Sequence, residues 1–140
     1  EVSGMTTIAY HHESRAIAYD SRLTRGATIV SDEFNKLKTK GNVKFLFCGV
    51  EADIQKLVNE YPAINGSLEC SGIIIEGDKI YHAAFDPEFK MLELFWSEAW
   101  GSGQDHALTA IDLGCSVSDS IEYAKKRDTG TGGKVNIINL

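Results

Sequence analysis

The chain reads as an α+β protein whose strands are mainly antiparallel and lie in one sheet or a pair of sheets. Short β-prone runs come in neighbouring pairs separated by polar tips, as hairpins do. Helical periodicity occurs in three places only, once near the middle and twice close together near the C-terminal end. Strands and helices are thus grouped rather than alternated, which favours α+β over a parallel α/β sheet.

Taken in order, Thr7–Tyr10 and Ala16–Tyr19 are short, apolar and β-prone, and the polar HHESR between them reads as a hairpin tip. The stretch DSRLTRGATIVSDEFNKLKTKGN sets Thr, Ile, Val and Phe among polar residues, a strand-and-turn pattern. VKFLFCGV is a dense apolar run that predicts a buried strand ending near Gly49. Ile54, Leu57, Val58 and Tyr61 then follow at helical spacing, predicting a helix from about Ala52 to Tyr61 that Pro62 stops. GIIIEGDKIYHAAF is a hairpin turning at EGD, and KMLELFW continues as another strand. Ala107, Ala110, Ile111 and Leu113 share one face of a second helix, with Gly114 suited to its cap. SVSDSIEYAKKRD is a third helix, capped by Ser116 or Ser118, and GGKVNIINL closes as a strand.

At 140 residues, with 43% hydrophobic and 24% charged residues, the chain fits one soluble globular domain. A formal net charge of −6 argues against nucleic acid as a partner, because backbone binding needs a basic face. No apolar run approaches a membrane span, and no polybasic segment or secretion signal is evident. Cys48, Cys70 and Cys115 fit neither zinc spacing nor a small disulfide scaffold, so they read as reduced, mostly buried thiols of a cytoplasmic protein. His11 and His12 are adjacent on a strand and point to opposite sides. His82 and His106 lack partners at ligand spacing, so no metal site and no cofactor is expected.

One short stretch carries chemistry. In GMTTIAYHH, Met5 stands directly before Thr6, and a threonine that becomes an N-terminus brings its own base to its hydroxyl. Taken singly, the other polar candidates have plainer readings. Thr6 is an ordinary strand residue, and Asp20 with Lys36 an ordinary surface pair. Ser102 serves as a helix N-cap, Asp128 ends its helix, and TGTGG is a turn.

Three stretches taken together resemble the proteasome β-subunit family of N-terminal nucleophile (Ntn) hydrolases, which includes the bacterial ATP-dependent proteasome-like peptidase. They are TTIAY with AYDSRLTRGATIVSDEFNK, then FLFCGVEAD, then GSGQDHALTAIDLG running through AKKRDTGTGGKVNIINL. The resemblance implies an αββα sandwich of two antiparallel sheets. It implies Thr6 as nucleophile, Asp20 and Lys36 as the buried acid–base pair beside it, and Gly49 as an oxyanion donor. Ser102, Asp128 and Thr131 would surround the Thr6 amine, with Gly132 and Gly133 matching the family's glycine pair. Thr131 departs from the family's usual Ser but keeps a hydroxyl.

Those roles are chemically coherent. A terminal α-amine, with a reference pKa near 8, can take the hydroxyl proton. A positive Lys36 would lower the amine's pKa further, and Asp20 would hold Lys36 charged and in place.

The resemblance also sets expectations about processing and assembly. Residues 1–5 are expected to be a tag or propeptide removed before activity, leaving 6–140 as one proteasome-like domain. Met5 reads as the natural start, trimmed by methionine aminopeptidase, with EVSG an added remnant. The implied partners are a peptide or unfolded protein substrate, further copies in a homo-oligomer, and an ATPase unfoldase.

Only Val50 to Ser71 separates the oxyanion glycine from the next strands, where the family has two long helices. One helical layer is therefore expected to be shortened, which bears on ring assembly. Counting along the strands offers Leu23, Phe34, Phe47 and Glu51 for a specificity pocket: the aromatics suggest small side chains, the carboxylate basic ones. Two other functions fit the same fold, an Ntn amidase acting on small amides and a non-catalytic structural or assembly protein.

Overall fold

In a computed structural model describing residues 1–140, the chain begins with a short strand, Val2–Gly4 (β1), in a segment the sequence reading does not assign to the sheet. The predicted first hairpin follows as Thr7–His11 (β2) and Ala16–Tyr19 (β3), with Ile8 opposite Tyr19. Glu98–Gly101 (β11) pairs with the free side of β2, and the closing strand Asn136–Asn139 (β12) with that of β3. These four strands form the smaller of two antiparallel sheets.

The larger sheet has eight strands. Leu23–Arg25 (β4) and Thr28–Ser31 (β5) make one hairpin. Leu37–Lys40 (β6), Val43–Val50 (β7), Cys70–Glu76 (β8), Lys79–Phe85 (β9) and Phe89–Glu93 (β10) run as an antiparallel meander. Both β6 and β1 lie along one edge of β7, β6 beside its beginning and β1 beside its end. Strand β1 also pairs with β4, so these three residues join the two halves of the sheet.

Alternation on β7 explains the layering, because successive side chains leave a strand on opposite faces. Leu46 and Cys48 face inward and pack with Ile8, Tyr10, Ile73 and Trp100 between the sheets. Phe45 and Phe47 face outward and meet Ile54, Leu57 and Val58 of the helix Glu51–Glu60 (α1). On the far side, Ala9 and Ala18 of the smaller sheet meet Ala107 and Ile111 of Gln104–Asp112 (α2), with Val117 and Ile121 of Val117–Arg127 (α3). Small residues on the strands let these two helices approach closely. Leu57 and Ile121 are fully buried, each such side chain contributing about 1.5–3 kcal/mol.

The result is α1, large sheet, small sheet, then α2 with α3: an αββα sandwich in which one helical layer is the single ten-residue helix α1. Ser116 caps α3, accepting the Asp119 N–H at 3.2 Å, while Lys125, Lys126 and Arg127 complement the dipole at the other end. No helix is long and apolar enough to cross a membrane.

Two local expectations need correction. Leu113 is the C-cap just beyond α2 and is 81% exposed, because at about 100° per residue it falls outside the stripe that Ala107, Ala110 and Ile111 bury. KMLELFW does not continue as one strand. β10 ends at Glu93, Leu94 drops into the core, and Phe95 and Trp96 stand exposed in the loop. Of the cysteines only Cys48 is buried, and all three are free.

Candidate active site

The site forms where the ends of several strands meet between the sheets. Thr6 immediately precedes β2, Asp20 immediately follows β3, and Lys36 immediately precedes β6. The antiparallel β2–β3 pairing sets Thr6 beside Asp20, although fourteen residues separate them. The Thr6 hydroxyl donates to Asp20 Oδ1 and accepts from Lys36 Nζ. Lys36 Nζ also donates to Asp20 Oδ1 at 2.6 Å. All three side chains are buried, Thr6 and Asp20 completely and Lys36 to 4% exposure.

An ion pair taken out of water is held by geometry rather than by a free gain of energy. Here the second Asp20 oxygen accepts the Gly132 N–H at 2.9 Å, and Oδ1 lies 3.4 Å from the Thr7 nitrogen. Burial pushes the Asp20 carboxyl above its ordinary range, with Lys36 and these donors pulling against it. Burial likewise pushes Lys36 below the ordinary lysine value, opposed first by the Asp20 charge.

A second cluster adjoins the first. Asp128 Oδ2 accepts from Ser102 at 2.6 Å and from Thr131 at 2.5 Å, and Thr131 Oγ1 lies 2.7 Å from Thr7 Oγ1. Gly130 packs where a side chain would press on both the Ser102 hydroxyl and the Met5 carbonyl, so this cluster borders the Met5–Thr6 peptide. Ser102 does not cap α2, whose N-cap is Gly103 with no side-chain bond; its hydroxyl goes to Asp128 instead. Asp128 does end α3, its N–H donating to Ala124 at 2.8 Å.

Gly49 stands at the end of β7 with φ +124°, a backbone region that favours glycine. A side chain there would collide with the Glu69 carbonyl and the Cys70 backbone. On its other side Gly49 is paired with Gly4 of β1, and Ser3 with Val50. Residues Val2–Gly4 therefore run as an extended strand just before the buried threonine.

Among the pocket candidates, Phe47 belongs to the packing under α1 and Leu23 is buried. Glu51 is not a free anion. It pairs with Lys38 at 2.5 Å, the two side chains only 12% and 18% exposed, and Lys38 sits 5.2 Å over the Phe34 ring.

The sequence reading passed over Thr7, Lys38 and the Arg22–Asp32 pair. No spacing rule marks any of them; only the packed loops reveal what they touch. No group of three or more His, Cys, Asp or Glu side chains converges to hold a metal ion. The four histidines are spent elsewhere in two cases at least, His82 accepting the Trp100 indole N–H at 2.8 Å and His12 meeting Tyr10 at 2.8 Å.

The layers and connections are those of an αββα sandwich of two antiparallel sheets. No protein-family model and no curated protein matches the chain in sequence. Solved structures match its fold over nearly all its length. A eukaryotic HslV from Trypanosoma brucei has TM-score 0.70 and 18% identity, over 96% of this chain and 100% of that one. Thiobacillus denitrificans BPH has TM-score 0.74 and 15% identity, over 96% of this chain and 97% of that one. The same protein in complex with epoxomicin has TM-score 0.72 and 15% identity, over 96% and 98%. The chain thus has the HslV-like fold.

Proposed function

We propose that this chain is a threonine peptidase whose nucleophile is the Thr6 hydroxyl, active once residues 1–5 have been removed. The observation that carries the reading is the buried Lys36–Asp20 ion pair bonded directly to that hydroxyl. A hydroxyl at a strand mouth has no structural need of a buried ammonium. Nucleophilic attack does need one, to favour the deprotonated oxygen.

The chemistry follows from the residues. Removal of Met5 frees the Thr6 amine, which takes the hydroxyl proton as the oxygen attacks the substrate carbonyl. The tetrahedral oxyanion is met by the Gly49 N–H, a donor of the kind worth roughly 2.7–4 kcal/mol. The amine then gives its proton to the leaving nitrogen, the C–N bond breaks, and an ester to Thr6 remains. Water, deprotonated by the same amine, hydrolyses the ester and restores the hydroxyl. General-base assistance of this sort is commonly worth about 10²–10⁴ in rate. Lys36 stays charged throughout under the hold of Asp20. Ser102, Asp128 and Thr131 orient the freed amine, the Thr131 hydroxyl serving where the family has Ser.

The course of β1 supports a peptide over a small amide as substrate. A strand of this chain fits between β4 and β7, so an extended peptide can take the same edge by main-chain pairing. One fold neighbour is an HslV and another, BPH, was solved in complex with epoxomicin; the shared fold supports the peptidase over the amidase and the non-catalytic reading. The Lys38–Glu51 pair neutralises Glu51, so that carboxylate is not expected to give the peptidase a preference for basic side chains. Assembly into a homo-oligomer, an ATPase unfoldase as partner and a cytoplasmic setting belong to the same proposal.

The test is intact mass before and after a threonine-directed epoxyketone such as epoxomicin, using protein that begins at Thr6. A single adduct, absent from a Thr6→Ala variant, supports the reading; an adduct that persists in that variant overturns it.

A further inference from the structure

Arg22 lies two residues beyond Asp20 and is absorbed by none of the roles above. Its guanidinium forms a two-pronged bond to Asp32, Nε to Oδ1 at 2.8 Å and Nη2 to Oδ2 at 3.0 Å. The remaining Nη1 donates to the Thr129 carbonyl at 2.9 Å. Two of the donations thus close the foot of the β4–β5 hairpin on Asp32, and the third joins that hairpin to the loop after α3. Gly132 packs flat on the guanidinium, where any side chain would run into it, and Gly133 (φ +75°) packs against the Asp32 carbonyl. The neighbouring backbone is tied at both ends, the Ser21 N–H donating to the Gly132 carbonyl at 3.0 Å and the Thr131 N–H to that of Asp128 at 3.2 Å.

We propose that Arg22 is a positioning residue: with Asp32 it clamps the loop 128–133 so that the Gly132 N–H meets Asp20 and the Asp128–Thr131 pair meets Thr7. It touches neither substrate nor the reacting atoms. The geometry assigns it this work because a fork fixed at both prongs holds an angle as well as a distance, which a lysine cannot do. Two glycines in the loop are needed for it to lie against the fork at all.

The consequence is read at Asp20. That carboxylate faces Lys36, the Thr6 hydroxyl, the Thr7 N–H and the Gly132 N–H, with the Arg22 charge further off. Lys36 in turn faces Asp20, Cys48 and Glu51, and Asp32 faces Arg22, Lys125 and Lys36. A donor that bonds the charged carboxylate favours ionisation, so loosening Gly132 raises the Asp20 titration midpoint.

The experiment follows the Asp20 carboxyl ¹³C signal and the Gly132 amide shift against pH in the 140-residue chain, for wild type, Arg22→Lys and Asp32→Ala. Lysine keeps the charge but loses the fork; Asp32→Ala keeps arginine but frees it. Both variants are expected to raise the midpoint by about one unit and to move the Gly132 amide proton upfield. An unchanged midpoint and amide shift in both overturns the proposal, leaving Arg22 as a through-space charge only. These readouts do not require activity, so they stand or fall apart from the threonine-peptidase reading. On that reading, which the next measurement rests on, the Thr6-initiated Arg22→Lys enzyme loses about tenfold in kcat with KM nearly unchanged, and its acidic pH limb moves up. A loss confined to thermal stability, with the wild-type limb, contradicts the positioning role.

Discussion

Lys36 Nζ stands 2.6 Å from Asp20 Oδ1 inside the sandwich, with neither side chain open to solvent beyond a few per cent. Breaking such a pair by removing one partner usually costs about 3–5 kcal/mol, because the remaining charge is left buried. Lys36→Met is therefore expected to destabilise the chain by about that amount in urea titrations at neutral pH. The penalty has a sign in pH. Without Lys36 the folded-state Asp20 carboxyl rises further above its unfolded value, so the variant recovers stability below the unfolded carboxylate pKa and loses it as pH rises through the folded one. Asp20→Asn combined with Lys36→Met should recover part of the neutral-pH loss. A Lys36→Met variant as stable as wild type at neutral pH would mean that the pair is solvated.

Thr6→Ala, made in protein that begins at residue 6, is expected to lower peptide hydrolysis by roughly 10⁴-fold or more, as loss of a nucleophile does elsewhere. Thr6→Ser keeps the hydroxyl and the amine and should retain measurable turnover. Initial rates on a short fluorogenic peptide distinguish the two.

Gly49→Ala forces a side chain into a φ of +124° and against the Glu69 carbonyl. The expected cost is about 2–4 kcal/mol in stability, of the order seen for strained backbone and overpacked sites. Activity should fall as well, because β7 must shift at the point where Gly49 presents its N–H. Gly77→Ala, at φ +66° in the turn between β8 and β9 but with open space around it, is the control: it should cost only the left-handed backbone penalty of about 1–2 kcal/mol.

How much of this was legible beforehand follows from the range of each interaction. Alternation in TIAY and AIAY and the apolar run FLFC report local burial, so β2, β3 and β7 were readable from composition at period two. The face of α1 was readable for the same reason, through Ile54, Leu57 and Val58. The expected place of Leu113 fails because a turn of about 100° per residue carries position 113 off the face shared by Ala107, Ala110 and Ile111. The convergence of Thr6, Asp20 and Lys36 lay beyond periodicity. It depends on three strand ends meeting across fourteen and thirty residues, and only the family resemblance supplied it. Arg22 with Asp32 had no signal at all, since a guanidinium and a carboxylate ten residues apart are commonplace. Strand β1 was unforeseen because its register comes from the gap it fills, not from its own three residues.

Strand β1 yields a prediction of its own. With β1 in place, Thr6 is fully buried and its nitrogen is a peptide, so on the proposed reading a chain retaining residues 1–5 is expected to be inactive. A free peptide of sequence EVSGM, added to protein that begins at Thr6, should inhibit it competitively by returning to the edge of β7. Inhibition that raises KM and leaves kcat unchanged is the expected result; purely non-competitive behaviour would place the peptide elsewhere.

The most direct measurement compares the 140-residue chain with a version whose first residue is Thr6, assayed side by side on the same peptide substrate, with intact mass confirming each N-terminus. Hydrolysis by the Thr6-initiated protein and none by the longer chain is the result expected if the hydroxyl and amine of one residue do the chemistry. Equal activity from both, with residues 1–5 still attached in the longer one, would contradict it.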